Sequence, residues 1–393
     1  MSRMMIEDIP GAQLPRDFAP WLVEVATRER SVVDLHRLFC ERLVELGLPL
    51  WRSSLGLEVL NPTIDGAQFR WVAHEVETEI MPRGFDYHDS PGRIAEETRA
   101  PYRRRLDAPV DDMPLLEGLR QMGASDYYIV PLAFIDRHRT AHLSFATLKP
   151  EGFAESDLAA LREAALLFSP CAERYVLRRI ALDLLNTYVG RRSAEKIYEG
   201  AVDRGKAEMI TATILIADMR GFTQYSETRP IANVLATLND FFDILVEAIE
   251  PRGGEVLKFI GDAVLAIFPI WEGQPPPCKP AFEAALDISR KIAAFNLERA
   301  KAGRSLIRFG LALDLGEIAY GNIGSRTRLD FTAIGPPINH ASRILEVAKK
   351  LDREIVIAAN FARASGMPFV SLGLHHLRDI AGEQEIFGIA EEA

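Results

Sequence analysis

The chain has few cysteines and no long apolar segment. Its three cysteines, Cys40, Cys171 and Cys278, are widely scattered, and no CxxC pair occurs. This pattern predicts neither a disulfide framework nor a cysteine-based metal site, and it is typical of a reducing compartment. No apolar run reaches the roughly 18 residues that span a bilayer, and residues 1–8 lack the apolar region of a signal peptide. We therefore expect a cytoplasmic protein without a membrane span.

Basic residues are also in the minority. The chain has 46 Lys and Arg against 56 Asp and Glu, which gives a formal net charge of −10. A non-specific nucleic-acid-binding protein needs a basic face, so this composition argues against nucleic acid as a partner. The Arg-rich segment 102–105 is local, and we interpret it as solvated surface or an interdomain contact. With 48% hydrophobic and 26% charged residues, the 393-residue chain is predicted to fold into two or three domains.

Residues 1–170 are predicted to form a separate α+β domain. Its expected elements are a helical stretch at 17–46, strands at 52–60, 68–75, 126–134 and 141–147, loops with one short helix at 81–112, and a final helix from 155. A loop around 61–66 and a polar turn at 136–139 would join the two strand pairs. This succession, with segment 152–158 before the last helix, resembles a GAF-type sensor domain. It has no ligand signature, so the effector is unknown, and a generic α+β domain is the alternative.

A helical linker is predicted at residues 171–205. Leu177, Ile180 and Leu184 recur at spacings of three and four, which gives the helix one apolar stripe. Such a stripe is often buried against a second copy in a dimeric coiled coil. The alternative is a helix that packs on its own sensor domain.

Residues 206–393 are predicted to form the second domain, with a β-α-β-β-α-β core. The predicted strands are 211–218, 254–260, 263–268, 306–315, 317–323, 329–333, 353–358, 368–376 and 384–389, and the helices are 231–249, 280–300 and 337–350. This order is typical of a ferredoxin-like fold, an antiparallel sheet with helices on one face. The fold class is therefore α+β.

Two aspartates stand at the ends of apolar runs in this domain. Asp218 closes the run 213–217, and Asp262 lies in a Gly-Asp turn between two apolar strands. A buried carboxylate is costly unless a cation meets it, and two in one pocket would repel unless metal ions lay between them. Phosphoryl chemistry uses such pairs, because one ion activates the attacking oxygen and the other neutralises the leaving phosphates.

Further polar residues follow the neighbouring elements. The backbone amides of Gly221, Phe222 and Thr223, just after the first strand, could hold phosphate oxygens. Lys258 lies inside an apolar strand and could donate to a purine nitrogen. Each of these signals is weak alone, since a strand-to-helix turn often contains glycine and an edge lysine often reaches solvent.

Asn339 and Arg343 are spaced four apart and share one face of the predicted helix 337–350. An asparagine near a helix start is usually a cap, so this pair is also weak evidence by itself.

Three segments together resemble class III nucleotide cyclases. Segment 217–223 (Ala-Asp-Met-Arg-Gly-Phe-Thr) resembles the first metal motif of that family, and segment 258–268 resembles the second. Segment 331–343 (Phe-Thr-Ala-Ile-Gly-Pro-Pro-Ile-Asn-His-Ala-Ser-Arg) resembles the third. The likeness covers roughly residues 205–390 in unbroken order.

This resemblance implies an adenylate cyclase that converts ATP to 3′,5′-cyclic AMP and pyrophosphate. In the family, the residues that match Asp218 and Asp262 hold two divalent ions, Mg²⁺ or Mn²⁺, with help from the backbone carbonyl at Met219. The asparagine and arginine that match Asn339 and Arg343 orient the ribose and neutralise charge on the α-phosphate. Because the family's sites are shared between two catalytic domains and this chain has every part, a homodimer is implied.

The resemblance also bears on the base. Lys258 matches a lysine that contacts adenine, whereas Thr332 stands where the family most often has an adenine-selecting aspartate. A hydroxyl can still accept a bond from the adenine amino group, and a bicarbonate-responsive subgroup shares this threonine. A second arginine for the phosphates is expected at Arg326 or Arg328, and the spacing leaves the choice open.

Two other functions are compatible with the sequence. The same fold could cyclise another nucleotide, to cyclic GMP or a cyclic pyrimidine nucleotide, which Lys258 with Thr332 argues against. The domain could also be a non-catalytic dimeric sensor module, but no metal aspartate is missing. A diguanylate cyclase is disfavoured because no GGDEF-like run occurs.

Overall fold

The computed structural model describes residues 14–58, 64–72, 75–82, 89–135, 141–270 and 276–390. The chain divides into an N-terminal unit, Met1–Leu184, and a C-terminal unit, Leu185–Ala393. Our expectations for residues 1–8, for most of the loop at 61–66 and for the turn at 136–139 lie outside the described residues. Within those residues, no helix is both long enough and apolar enough to cross a membrane.

The N-terminal unit is an antiparallel sheet with helices on both faces. Its elements are α1 (Phe18–Arg28), α2 (Val32–Glu45), β1 (Arg52–Glu58), β2 (Ile64–Val72), β3 (Glu75–Pro82), α3 (Pro91–Thr98), β4 (Tyr102–Arg105), α4 (Pro114–Gln121), β5 (Asp126–Pro131), β6 (Ala141–Thr147) and α5 (Glu155–Val189). The strand order is β3-β2-β1-β6-β5-β4. One core joins α1, α2 and α5 to the sheet, and a smaller core under α3 and α4 covers the other side.

Several N-terminal expectations need correction. The stretch 17–46 is two helices, because α1 ends at Arg28 and α2 begins at Val32. The Ser31 side chain caps α2 by accepting from Val33 N at 3.1 Å. Segment 81–112 contains the edge strand β4 as well as a short helix. The interpretation of segment 102–105 as solvated surface is wrong for Arg103. This guanidinium donates to the buried Asp126 carboxylate at 2.8 Å, so an arginine in a polar segment anchors the fold.

The predicted linker begins inside α5, which runs without a break to Val189 and so extends past the unit boundary. Gly190 then adopts a φ of 81° and precedes a short helix, α6 (Arg191–Tyr198). The single helix expected at 171–205 is therefore the end of α5 followed by α6, and the helical structure stops at Tyr198.

The C-terminal unit contains the long sheet that positions the candidate site. Its further elements are β7 (Ala207–Met219), α7 (Phe222–Thr228), α8 (Ile231–Ile249), a 3₁₀ turn (Glu250–Arg252), β8 (Glu255–Ile260), β9 (Ala263–Pro269), α9 (Cys278–Lys301), β10 (Phe309–Gly324), β11 (Leu329–Ile334), α10 (Pro336–Lys350), β12 (Ile355–Ala358), α11 (Ala359–Ser365), β13 (Val370–His376) and β14 (Glu383–Gly388). The strand order is β13-β14-β12-β10-β7-β9-β8, and β11 pairs with β10. The central order β10-β7-β9-β8 is the predicted β-α-β-β-α-β core, so the α+β class is confirmed.

The two helices of the predicted core, α8 and α9, lie on one face of the sheet as expected, but α10 covers the other face. Leu215 and Ala217 of β7 pack in a core with α8 and α9, whereas Ile214 and Ile216 pack in a second core with α10. Because strand side chains alternate between faces, a run that is apolar at every position must be covered on both sides.

Strand β10 is continuous, although two strands were predicted around residue 316. Gly316 lies within it, and a Cβ built there would be 2.5 Å from Cγ of Pro337, near the start of α10. The glycine therefore permits close approach of the helix and does not mark a strand end.

Helix α6 is tied to the strand that carries Lys258. The Glu255 carboxylate at the start of β8 accepts from Ser193 N at 3.1 Å and from Ser193 Oγ at 2.9 Å. The Tyr320 hydroxyl donates to the other carboxylate oxygen at 3.0 Å. Since all three side chains are buried, this network fixes the first residues of the C-terminal unit to its sheet.

Candidate active site

The two predicted metal aspartates lie side by side at one end of the sheet. Asp218 is paired in register with Ala263, so Asp262, one residue earlier, lies next to it. Gly261 makes the turn before Asp262 with a φ of 64°, a left-handed conformation that glycine adopts readily. The strand register therefore brings together two carboxylates that are far apart in sequence.

The electrostatics of this pair favour a bound cation. Burial raises the pKa of Asp262, and the neighbouring Asp218 charge raises it further, while hydrogen bonding to backbone and the nearby Lys349 oppose the shift. Oδ1 of Asp218 is buried without a hydrogen-bond partner among the described residues. Its Oδ2 forms an ion pair with Lys349. A divalent ion would give Oδ1 a partner and would offset the negative charge of the pair that one lysine leaves uncompensated.

The donor set fits a magnesium-type ion. Within the described ranges, no group of three or more His, Cys, Asp and Glu side chains could hold a metal. Two carboxylates and nearby backbone are the donors that the described residues offer at this place. Mg²⁺ is commonly bound by one or two carboxylates together with water and substrate phosphates, so the residues present fit such an ion.

Arg220 fixes the turn that follows Asp218, a role that the sequence analysis missed. Its Nη1 pairs with Asp352 at 2.6 Å, and its Nη2 donates to the carbonyl of Ala348 at 3.1 Å and to that of Arg353. Gly221 then adopts a φ of 72° and α7 begins. The first residues of α7, Phe222 and Thr223, are therefore placed directly after Asp218.

Lys258 and Thr332 belong to a second group of residues. Lys258 forms an ion pair with Asp330 on β11, and Asp330 lies two residues before Thr332, hence on the same face of that strand. Thr332 is buried, with 7% of its surface exposed. The sequence analysis missed Asp330, although its two-residue offset from Thr332 was a visible signal.

Asn339 and Arg343 lie on the first half of α10. Asn339 is exposed, whereas Arg343 donates to Glu346 at 2.9 Å and pairs with Asp379 at 3.5 Å. His340, between them, is paired through Nδ1 with the buried Asp314 of β10 at 2.6 Å. This tether, also missed from the sequence, holds the first half of α10 against the sheet.

Within one chain, Asn339 at the start of α10 lies far along the helix from the pair Asp218 and Asp262. Lys349 contacts Asp218, and Asn339 precedes it by ten residues, or about 15 Å of helix. Arg326 and Arg328, the candidates for a second phosphate-binding arginine, lie in the exposed turn between β10 and β11. The structure thus brings Asp218 and Asp262 together, and separately brings Lys258 to the strand of Thr332.

Comparison with known proteins identifies the domain. Residues 206–366 match the family model of the adenylate and guanylate cyclase catalytic domain. The C-terminal unit therefore contains a class III nucleotide cyclase catalytic domain, as the motif resemblance implied. The family description covers both adenylate and guanylate cyclases, so membership alone does not choose the base.

Relatives extend this similarity. Uncharacterized proteins of Mycobacterium tuberculosis and Mycobacterium bovis are 32% identical over 188 residues, which is 47% of this chain and 32% of each relative. This chain thus spans about a third of the length of those relatives. The GAF-type resemblance of the N-terminal domain stays a prediction.

Similar solved structures are cyclases. A bacterial light-regulated adenylyl cyclase is 26% identical with a TM-score of 0.41, covering 46% of this chain and 91% of that chain. The adenylyl cyclase CyaB from P. aeruginosa is 20% identical with a TM-score of 0.44, covering 48% and 97%. The guanylyl cyclase Cya2 is 24% identical with a TM-score of 0.42, covering 47% and 95%.

Proposed function

We propose that this protein is an adenylate cyclase that converts ATP to 3′,5′-cyclic AMP and pyrophosphate at sites shared by two copies of the chain. The observation that carries this proposal is the pair Asp218 and Asp262, two neighbouring carboxylates with an unpartnered buried oxygen in the described structure. This pair lies inside the segment that matches the cyclase family.

Asp218 and Asp262, with the backbone carbonyl of Met219, would hold two divalent ions, Mg²⁺ or Mn²⁺. Ions held there would supply the positive charge that lowers the pKa of the ribose 3′-hydroxyl and that neutralises the leaving pyrophosphate. The backbone of Gly221, Phe222 and Thr223 binds phosphate oxygens beside the carboxylates. Arg220 orients this turn through its bonds to the end of α10.

Lys258 and Thr332 select adenine in this proposal. The Lys258 ammonium has three donors, and its ion pair with Asp330 uses one, so a purine ring nitrogen can accept another. The Thr332 hydroxyl accepts from the adenine amino group. Because the Thr332 hydroxyl can equally donate to the guanine carbonyl, the preference for ATP over GTP rests on Lys258, which finds an acceptor at N1 of adenine but an N–H donor at N1 of guanine.

Asn339 and Arg343 complete the site. Asn339 orients the ribose, and Arg343 neutralises negative charge that grows on the α-phosphate during attack by the 3′-hydroxyl. Because this charge is largest in the transition state, Arg343 contributes more to kcat than to KM. Arg326 or Arg328 remains a candidate for a second contact with the phosphates.

The distance between Arg343 and the pair Asp218 and Asp262 within one chain supports a homodimer. In one chain, Arg343 is engaged by Glu346 and Asp379 rather than by residues near Asp218. Phe259 and Ile260, in the hairpin that carries Asp262, are 49% and 55% exposed. Exposed apolar side chains beside an incomplete site suit a twofold interface that adds the second group from a partner.

The N-terminal unit is proposed to be a sensor for a small molecule or ion. The sequence pattern does not specify the chemistry of this ligand, because the shape of the pocket determines which ligand a sensor domain binds. Turnover by the full chain compared with residues 185–393, which keep Ser193 and its bonds to Glu255, measures the influence of this unit on the cyclase domain.

Complementation tests the proposal. Purified Asp218→Asn and Arg343→Ala proteins should each be inactive with ATP and Mn²⁺. After equal mixing and subunit exchange, half the dimers are mixed and each has one intact site, so activity should return to about a quarter of wild type. No recovery, despite exchange seen with differently tagged chains, would place the whole site within one chain.

Nucleotide competition tests the base. We expect cyclic AMP from ATP, and at least about tenfold lower kcat/KM with GTP, CTP or UTP, a difference of about 1.4 kcal/mol. Equal rates with GTP would support the cyclic GMP alternative, and no product with any nucleotide would support the non-catalytic module.

A further inference from the structure

We propose that Lys349 is an internal cation that occupies Asp218 when the metal ion is absent, and that a divalent ion must displace it in order to bind. Lys349 would then set the metal affinity of the cyclase without being a metal ligand. This inference rests on the proposed function, since it assumes that Asp218 and Asp262 hold metal.

The geometry points to one ammonium group serving two carboxylates. Lys349 pairs with Oδ2 of Asp218, while Oδ1 of the same carboxylate lacks a partner in the described part of the chain. The Lys349 charge also opposes the rise in the pKa of Asp262, so it is felt by both aspartates. Without it, two neighbouring, partly buried negative charges would face each other uncompensated.

The Lys349 side chain can leave this position. It is 48% exposed, whereas Asp218 is 13% exposed, so the ammonium reaches the site from the solvent side. Lysine has a flexible four-carbon stem and a compact charge, and it can move into water without breaking a rigid multidentate contact.

Arg220 shows what a permanent cation looks like in the same region. Its side chain is 10% exposed and is bound to the Asp352 carboxylate and the carbonyls of Ala348 and Arg353. Lys349, by contrast, has one ion-pair partner among the described residues, and that partner is Asp218, a proposed metal ligand. The fixed cation shapes the turn, and the movable one compensates the carboxylates.

The experiment measures Mn²⁺ binding to the full chain without nucleotide, by electron paramagnetic resonance of free Mn²⁺. Lys349→Met removes the competing charge, and Lys350→Met removes an equal charge from the adjacent exposed residue of the same helix. We expect Lys349→Met to bind Mn²⁺ about tenfold more tightly than wild type, about 1.4 kcal/mol. Lys350→Met should stay within about twofold of wild type.

Thermal unfolding gives a second readout that does not depend on turnover. Metal-free Lys349→Met should melt below wild type because its two carboxylates repel, and Mn²⁺ should raise its Tm by more than it raises that of wild type. Lys349→Arg, which keeps the charge, should not bind Mn²⁺ more tightly than wild type.

Unchanged or weaker Mn²⁺ binding by Lys349→Met, relative to Lys350→Met, overturns this inference alone, provided that wild type binds and Asp218→Asn does not. Wild-type protein that binds no more Mn²⁺ than Asp218→Asn overturns the proposed metal site together with this inference.

Discussion

Asp126 in the N-terminal unit and Asp218 in the C-terminal unit are both carboxylates at strand ends, but their surroundings differ. Asp126 is fully buried and accepts from Arg103 Nη2 at 2.8 Å, from Arg103 Nε at 3.2 Å and from Phe153 N at 3.0 Å. Asp218 has an oxygen with no hydrogen bond from any described residue, and its other oxygen meets the half-exposed Lys349. Saturation by fixed donors marks a structural carboxylate, and incomplete saturation marks one that can take a ligand.

Burial alone does not distinguish the two. Asp126 is the more buried residue, yet its carboxylate is hydrogen-bonded to Arg103 and to Phe153 N within the fold. The number and mobility of the donors around a carboxylate are therefore better indicators of a binding role than its exposed surface.

The largest expected effect comes from the C-terminal pair. Asp262→Asn should lower turnover by about three orders of magnitude, because one of the two carboxylates that we propose as metal ligands is lost. The fold should remain intact, since the change removes repulsion between two neighbouring acids. Initial-rate assays with Mn²⁺ and circular dichroism check this.

Asp243→Asn, at an exposed position on α8, is the matched control for Asp262→Asn and should keep wild-type turnover. Near-normal rates for Asp262→Asn would remove the distinction between the two kinds of carboxylate.

The second effect concerns stability rather than catalysis. Asp126→Asn breaks a buried ion pair and should destabilise the N-terminal unit by about 3–5 kcal/mol. Three of the four tryptophans, Trp21, Trp51 and Trp71, lie in that unit, so urea unfolding followed by tryptophan fluorescence reports on it. A loss below about 1 kcal/mol would contradict the assignment of Asp126 as a structural anchor.

Asp112→Asn provides the comparison for this measurement. Asp112 pairs with Arg104 at 3.2 Å, but its side chain is 57% exposed. Because exposed ion pairs contribute little, this change should cost less than about 1 kcal/mol.

The smallest effect appears as pH dependence of the N-terminal unit. His36 is buried and bonded to Ser53 at 2.9 Å, and burial lowers its pKa from 6.5 to about 3. The unfolded chain therefore binds a proton that the folded chain excludes, so stability is full above pH 6.5 and falls as pH decreases towards 3. The contribution is at most about 1.4 kcal/mol per pH unit.

Urea midpoints at pH 7 and pH 5, read from tryptophan fluorescence, measure this slope. His36→Gln should reduce the slope between those pH values, while it leaves the cyclase unit unchanged. An identical slope in wild type and His36→Gln would show that His36 is protonated without cost in the folded state.

Much of the C-terminal unit could be predicted from local pattern. The apolar runs that end at Asp218 and surround Asp262 predicted β8, β9 and the end of β7 to within one residue, although β7 begins four residues before its predicted start, and the helix predicted at 231–249 is α8. Local spacing is enough there, because strand alternation and turn residues act over a few positions.

What the sequence did not predict depends on contacts between distant residues. Arg220 with Ala348, Lys258 with Asp330 and Lys349 with Asp218 each join residues more than 70 positions apart. Similarly, Arg103 looked like surface because its neighbours are charged, and only the register of β4 with β5 brings it to Asp126. Periodicity gives the face of a residue, but not the residue opposite it.

The close approach of Gly316 to Pro337 has a mechanical consequence for α10. The far end of this helix is bonded to Arg220, while its first half is held to β10 by the His340–Asp314 pair and packs closely on the backbone at Gly316. A methyl group at position 316 would clash with Pro337 and push the first turn of α10 away from β10. The C-terminal turn of the helix, which is bonded to Arg220, would move less. Asn339 would then be displaced more than Lys349, so alanine at this position would misalign the amide that we propose to orient the ribose and would leave the two carboxylates in place.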